Sequence, residues 1–253
     1  MKKISFFSIS ILFLFISVMY ITSCEEEVLE NVNENLPQSA QHQKDVRSLI
    51  NPYDDIGMSH NYYCRDIINN TSILNYPQSF SVTLGLLENY FYHESGEKVN
   101  LGFLADPNGE LADFSYDNNP LLTEREKTFL DDMFDQTSAF DWRQSNPVPA
   151  WNSMMDGIVK NGLAKGFAHE EVVLSSASIA QHSGILWYGE FTDGGSNPAA
   201  LGDPNWLCIG VAVLSDAGSM LTAINQGGGF DGVGTDDVFA AVGASVEGYF
   251  GCL

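Results

Sequence analysis

The sequence predicts a mainly α fold: a compact single-domain helical bundle with a long irregular insertion and a C-terminal helical hairpin. Three observations predict it. Apolar residues recur at spacings of three and four along several long segments. Thr123-Glu124-Arg125-Glu126 is a capping box, in which Thr123 and Glu126 each satisfy the other's free backbone amide at a helix start. Two segments near the C-terminus, 206–224 and 235–250, are rich in Gly and Ala, apolar nearly all round and joined by a glycine-rich link.

The domain opens at Asn51-Pro52-Tyr53-Asp54-Asp55, where Pro52 punctuates and Asp54 or Asp55 is placed to cap a helix. Ile56, Tyr63 and Ile67 share one face of that helix with His60 between them, and it ends near Asn69-Asn70. In the next segment Phe80, Val82, Leu84 and Leu86 alternate like a strand, whereas Leu87, Tyr90, Phe91 and Glu94 space like a helix. Its length favours one helix from about Pro77. Residues 95–122 hold Ser95-Gly96, Asp106-Pro107-Asn108-Gly109 and Asn118-Asn119-Pro120, so they read as irregular, with short extended pieces at Val99–Leu104. After the capping box, Phe129, Leu130, Met133 and Phe134 follow at core spacing. Pro147 and Pro149 precede a helix that turns Trp151, Met154, Met155, Ile158 and Val159 inward.

A further helix runs from about Ala168 to Tyr188. Val173, Ala177, Ala180, Gly184 and Trp187 line one face, with Val172, Ser176, Ile179, Ser183 and Leu186 beside it. So wide an apolar arc places it centrally, and its small residues permit close helix approach. In the hairpin, Thr235 is expected to cap the last helix, with Asp236 and Asp237 at its positive end.

The N-terminus gives the clearest functional signal. Met1-Lys2-Lys3 is followed by an apolar run, Ile4 to Ile21, and then by Thr22-Ser23-Cys24. The run is near the ~20 residues of a transmembrane helix, but small residues ending on a cysteine mark a cleaved export signal. Ile21-Thr22-Ser23-Cys24 resembles the lipobox of bacterial lipoproteins. The resemblance implies cleavage before Cys24, lipid on its thiol and stable membrane anchoring by more than one acyl chain. Glu25-Glu26-Glu27 then resembles the acidic surface-export signal of lipoproteins in some Gram-negative bacteria, which implies outer-membrane attachment facing the exterior. The expected organisation is a signal peptide over 1–23, an acidic flexible tether over 24–48 and a helical domain over 49–253. Asn51-Pro52-Tyr53, Gly57 and His60-Asn61 resemble an entry segment of small secreted helical proteins of unassigned function, and no activity comes with that likeness.

The formal charge is −22. With Lys2 and Lys3 removed, nine basic residues face 33 acidic ones, or −24. Such a balance argues against nucleic acid and anionic head groups as partners, because both are held by basic patches. Sixteen Phe, ten Tyr and four Trp supply enough aromatic surface for an extracellular glycan, peptide or protein ligand.

Three cysteines remain after lipidation. The two hairpin helices are each roughly 22–24 Å long at 1.5 Å per residue, so the start of one meets the end of the other and Cys208 is expected to bond Cys252. Cys64 is left as a free buried thiol.

Catalytic motifs are sparse. His169-Glu170-Glu171 opens like a zinc-protease motif, but position 173 is Val. The sequence holds no Gly-x-Ser-x-Gly elbow, and Gly227–Gly234 lacks the lysine of a phosphate loop. No metal site and no cofactor is expected. The weak calcium-like candidates are Asp106, Asn108, Glu110 and Asp113 in an ordinary turn, with Asp231, Asp236 and Asp237 better explained by capping. His182 and Asp216 lie mid-helix on apolar faces. A buried carboxylate needs partners, so the two form a possible polar site; His60 and His93 are expected beside aromatics. The expectation is therefore a non-enzymatic, lipid-anchored envelope protein. Its alternatives are a membrane-active, bacteriocin-like protein using the C-terminal hairpin, and a hydrolase built on His182 and Asp216.

Overall fold

A computed structural model describes residues 50–70, 79–96, 98–105, 116, 119–192, 206–226 and 233–251. The chain divides between Arg47 and Ser48, and the larger unit is Ser48–Leu253. Among its described residues are seven α-helices: α1 (Asp54–Asn70), α2 (Phe80–Ser95), α3 (Glu124–Ser138), α4 (Pro147–Lys165), α5 (Glu170–Thr192), α6 (Trp206–Gln226) and α7 (Thr235–Gly251). The mainly α bundle agrees with the sequence. The weak calcium-like candidates Asp106, Asn108, Glu110 and Asp113, together with Asp231, Cys24 and Cys252, lie outside the described residues.

The helix ends are built somewhat differently from expectation. Asp54 and Asp55 fall inside the first turn of α1, and the side chain before it does the tying. Asn51 Oδ1 accepts from the Tyr53 amide at 3.0 Å, while its Nδ2 donates to the Leu174 carbonyl of α5 at 2.9 Å. The strand-like alternation at Phe80–Leu86 is overridden, since α2 runs unbroken from Phe80 and stops at Gly96, whose φ of 77° suits a residue without Cβ. Pro77 lies outside the described residues. Within the irregular insertion, Gly102–Leu104 is a 3₁₀ turn rather than an extended piece. Glu88 of α2 holds that turn by accepting from the Leu101 amide at 2.8 Å, and Leu101 and Leu104 plug into the core.

The capping box of α3 is present in full. Glu126 also accepts from the His169 amide at 2.7 Å, so one carboxylate starts α3 and ties it to the entry of α5. Burial alone would raise the Glu126 carboxyl, but the bonds from Thr123 and His169 outweigh it and hold the group below the usual carboxylate range. α4 begins with Pro147 itself, because a first-turn proline gives up no intrahelical bond. Thr235 is the first residue of α7 rather than its cap; the Gly234 amide donates instead to Asp237 Oδ2 at 2.8 Å.

α5 is the central helix, packed on α1, α3, α4 and α6, while α6 packs most extensively on α7. The faces predicted for α5 are all buried, including Val173, Ala177, Ala180, Gly184 and Trp187. Close approach is built at two glycines. A Cβ on Gly57 of α1 would lie 2.4 Å from the Ser178 carbonyl oxygen of α5, and one on Gly184 would lie 2.6 Å from the Trp151 ring of α4. Phe91 of α2 stacks on Phe239 of α7 at 4.0 Å, with Tyr63 of α1 edge-on to both. Trp142 sits between Trp151 at 4.7 Å and Tyr188 at 5.8 Å.

Gly57→Ala is expected to destabilise the fold by about 2 kcal/mol or more, because the clash is with backbone that cannot rotate away. Gly85→Ala in α2, where a Cβ meets nothing within 4 Å, is expected to be neutral or to stabilise by up to about 1 kcal/mol. Urea-unfolding midpoints of the two variants check both.

Candidate functional site

The polar side chains that chemistry needs are gathered inside the bundle, where α1, α5, α6 and α7 meet. Asp216 of α6 is fully buried. Its Oδ2 accepts from Ser183 Oγ of α5, from Ser245 Oγ of α7 at 2.6 Å and from Trp187 Nε1 of α5 at 3.3 Å. Trp187 Nε1 also lies 3.2 Å from Ser245 Oγ, which closes the ring of donors. Oδ1 is buried with no hydrogen-bond partner. Burial pushes the Asp216 carboxyl up to about 7, against the downward pull of Ser183, Ser245 and Trp187.

His60 of α1 faces this carboxylate, with Nε2 3.6 Å from Asp216 Oδ2. The same nitrogen is 3.5 Å from Cys64 Sγ, one helical turn on. His60 Nδ1 is 3.1 Å from Asn61 Oδ1, and Asn61 Nδ2 donates to the His182 carbonyl at 2.7 Å. That amide bond orients Asn61, so its oxygen is an acceptor and Nδ1 of His60 carries the hydrogen. Burial, helped by the nearby His182 ring, pushes His60 down to about 4, although Asn61 and the Ala241 carbonyl favour its protonated form.

His182 belongs to a second pair. Its Nε2 is 2.9 Å from Asp54 Oδ1 at the start of α1, while Nδ1 is buried without a partner. Ser178, one turn earlier on α5, accepts from the Gly57 amide at 3.0 Å and donates to the Asp54 carbonyl at 3.1 Å.

The pair suggested by the sequence is therefore split. Asp216 is bonded to Ser183, Ser245 and Trp187, and His182 is bonded to Asp54. His182 is 1% exposed and Asp216 0%, so neither offers an atom to a substrate. His60, expected beside aromatics, is the polar neighbour of Asp216. Cys64, His60 and Asn61 have the order of a thiol, a base and an orienting amide. Burial raises the Cys64 thiol well above its ordinary value, and all three residues are completely enclosed. The thiol is thus the free buried cysteine expected, and it is not activated as a nucleophile.

Cys208 is buried in α6, and its expected partner Cys252 lies outside the described residues. Among the described residues, no group of three His, Cys, Asp or Glu side chains is placed to hold a metal ion, and no helix is long and apolar enough to cross a membrane.

Sequence reasoning missed Asp54, Asn61, Ser183 and Ser245 as partners of this cluster. One available signal was the density of polar residues within the apolar arc of α5, where Ser175, Ser176, Ser178, Gln181, His182 and Ser183 are all buried. Buried hydroxyls in a row point to acceptors close by, which Ser178 and Ser183 find on α1 and α6.

Comparison of the chain with family models, curated proteins and solved structures finds no match. The functional reading rests on the residues themselves.

Ser183→Ala and Ser245→Ala are each expected to cost about 1–3 kcal/mol, the range for taking a donor from a buried acceptor. Because both donate to one oxygen, the double variant should depart from additivity by more than about 0.5 kcal/mol. A double-mutant cycle by urea unfolding measures this.

Proposed function

We propose that this chain is a lipid-anchored envelope protein, attached through Cys24 to the outer membrane and facing the cell exterior, whose helical domain acts by binding rather than catalysis. The Thr22-Ser23-Cys24 ending after an apolar run supports the anchor, and Glu25–Glu27 support the outward address. One observation carries the non-enzymatic half. The candidate reactive groups His182 and Asp216 are enclosed in the bundle and committed to separate structural partners. A hydrolase reading built on that pair requires substrate access that these side chains lack.

The acidic surface favours a ligand approached through glycan, peptide or protein chemistry over a polyanion. A membrane-active role for the α6–α7 hairpin is less well supported. Asp216 and Ser245 knit the hairpin to α1 and α5, so opening it would strip a buried carboxylate of its donors. The purified domain is expected to release no dye from liposomes between pH 5 and 8.

Protease shaving of intact cells is expected to remove the domain, and metabolic labelling with palmitate to mark the wild-type chain but not Cys24→Ala. The variant should leave the membrane fraction. Protection until the outer membrane is opened would refute the outward address. Persistence of label in the variant would refute lipidation at Cys24.

A further inference from the structure

We propose that His60 and Asp216 form a compensated pair that shares one proton: folding transfers it from the imidazole to the carboxyl, so their titrations cancel in the stability of the domain.

Geometry sets the arrangement. Asn61, oriented by its bond to the His182 carbonyl, fixes the hydrogen of His60 on Nδ1. The bare lone pair of Nε2 is therefore directed toward Asp216 Oδ2 at 3.6 Å and Cys64 Sγ at 3.5 Å. A bare nitrogen opposite a carboxylate is repulsive, and both groups are completely enclosed. One proton removes the repulsion and leaves no net charge in the core. Two placements satisfy the geometry: a neutral acid beside a neutral imidazole, or an ion pair. In a site shut from water the neutral arrangement avoids desolvating two charges.

The neighbouring groups are few. α1 contributes His60, Cys64 and, through His182, Asp54. Arg65 acts on the Cys64 thiol. α5 contributes His182, which disfavours charge on His60, together with the Ser183 and Trp187 donors. α7 contributes the Ser245 hydroxyl and the Ala241 carbonyl. The influences on Asp216 are burial and its hydrogen bonds from Ser183, Ser245 and Trp187.

The linkage signs follow. Asp216 is raised from 3.8 to about 7, so its contribution is present at low pH and is lost as pH rises across that window. His60 is lowered from 6.5 to about 4, so its contribution is present above 6.5 and is lost as pH falls across that window. Between about 4 and 6.5 the windows overlap with opposite slopes. The folded pair holds its proton on Asp216 and the unfolded pair holds it on the histidine. The number of bound protons is unchanged, and pH has no leverage on the pair.

Urea unfolding of the full chain, of Asp216→Asn and of His60→Gln between pH 4.5 and 6.5 tests this. Relative to wild type, Asp216→Asn should gain in folding equilibrium as pH rises, and His60→Gln should gain as pH falls. Each change should approach tenfold per pH unit. Referencing to wild type removes the slopes of unrelated groups such as Asp237. Deviations independent of pH mean that the two groups do not exchange a proton and overturn the proposal; an ion pair would leave the same lone buried group in each variant, so the spectra of the wild type separate it from the neutral pair. If a variant does not fold, NMR titration of the wild type decides. A neutral His60 ring and a protonated Asp216 at pH 5.5 are expected, and an imidazolium signal overturns the proposal.

Discussion

The rest of the bundle depends on how a carboxyl group is kept out of water. Asp216 is the one acidic residue of α6, and α6 is packed between α5 and α7. A carboxyl so placed must find donors on its neighbours or weaken the fold. It finds them on two helices, through Ser183, Trp187 and Ser245, and meets His60 from a third. The directional requirements of one oxygen thus fix the rotation of three helices about α6. Apolar packing alone tolerates repacking, whereas hydrogen-bond geometry does not.

The α1–α5 contact adds the second constraint. Gly57 brings the two backbones close enough for its amide to reach Ser178, whose hydroxyl turns back to the Asp54 carbonyl. Asn51 binds α5 one turn earlier at Leu174, and Asn61 binds it one turn later at His182. Asn51, Gly57, His60 and Asn61 are residues of the opening string that the sequence made conspicuous; Asn51, Gly57 and Asn61 prove to be contacts along the α1–α5 seam, and His60 turns to Asp216 of α6. The string therefore encodes packing, which explains why it carries no chemistry to the surface.

Much of the architecture was legible because it rests on local physics. The capping box at Thr123 and Glu126 depends on residues three apart, and the wide apolar arc of α5 signals centrality without knowledge of its neighbours. Phe80–Leu86 was harder, since alternation and helical spacing coexist there and only packing of Leu84, Leu87 and Phe91 decides for the helix. The candidate site was half legible. Asp216 declared itself as a charge in an apolar helix, but its partners are 29 and 33 residues away along the chain, and His60 is farther still. Nothing in the spacing of His182 reveals that Asp54 takes its imidazole, because that pairing exists only once α1 and α5 have met. Glu126 shows the same limit, as its capping role is local and its bond to His169 is not.

Trp187 has a consequence of its own. Its indole N–H is shared between Ser245 and Asp216, and its ring is completely enclosed. The emission of an indole shifts with the electric field along its ring, so a charge appearing or vanishing on Asp216 acts on a chromophore about one hydrogen bond away. Trp142 and Trp151 lie together in the aromatic stack near Tyr188, apart from that carboxyl in their contacts. The molecule therefore contains its own voltmeter: light from Trp187 reads the charge state of the core, against a background from the three other tryptophans of the chain, of which Trp142 and Trp151 sit in that separate stack.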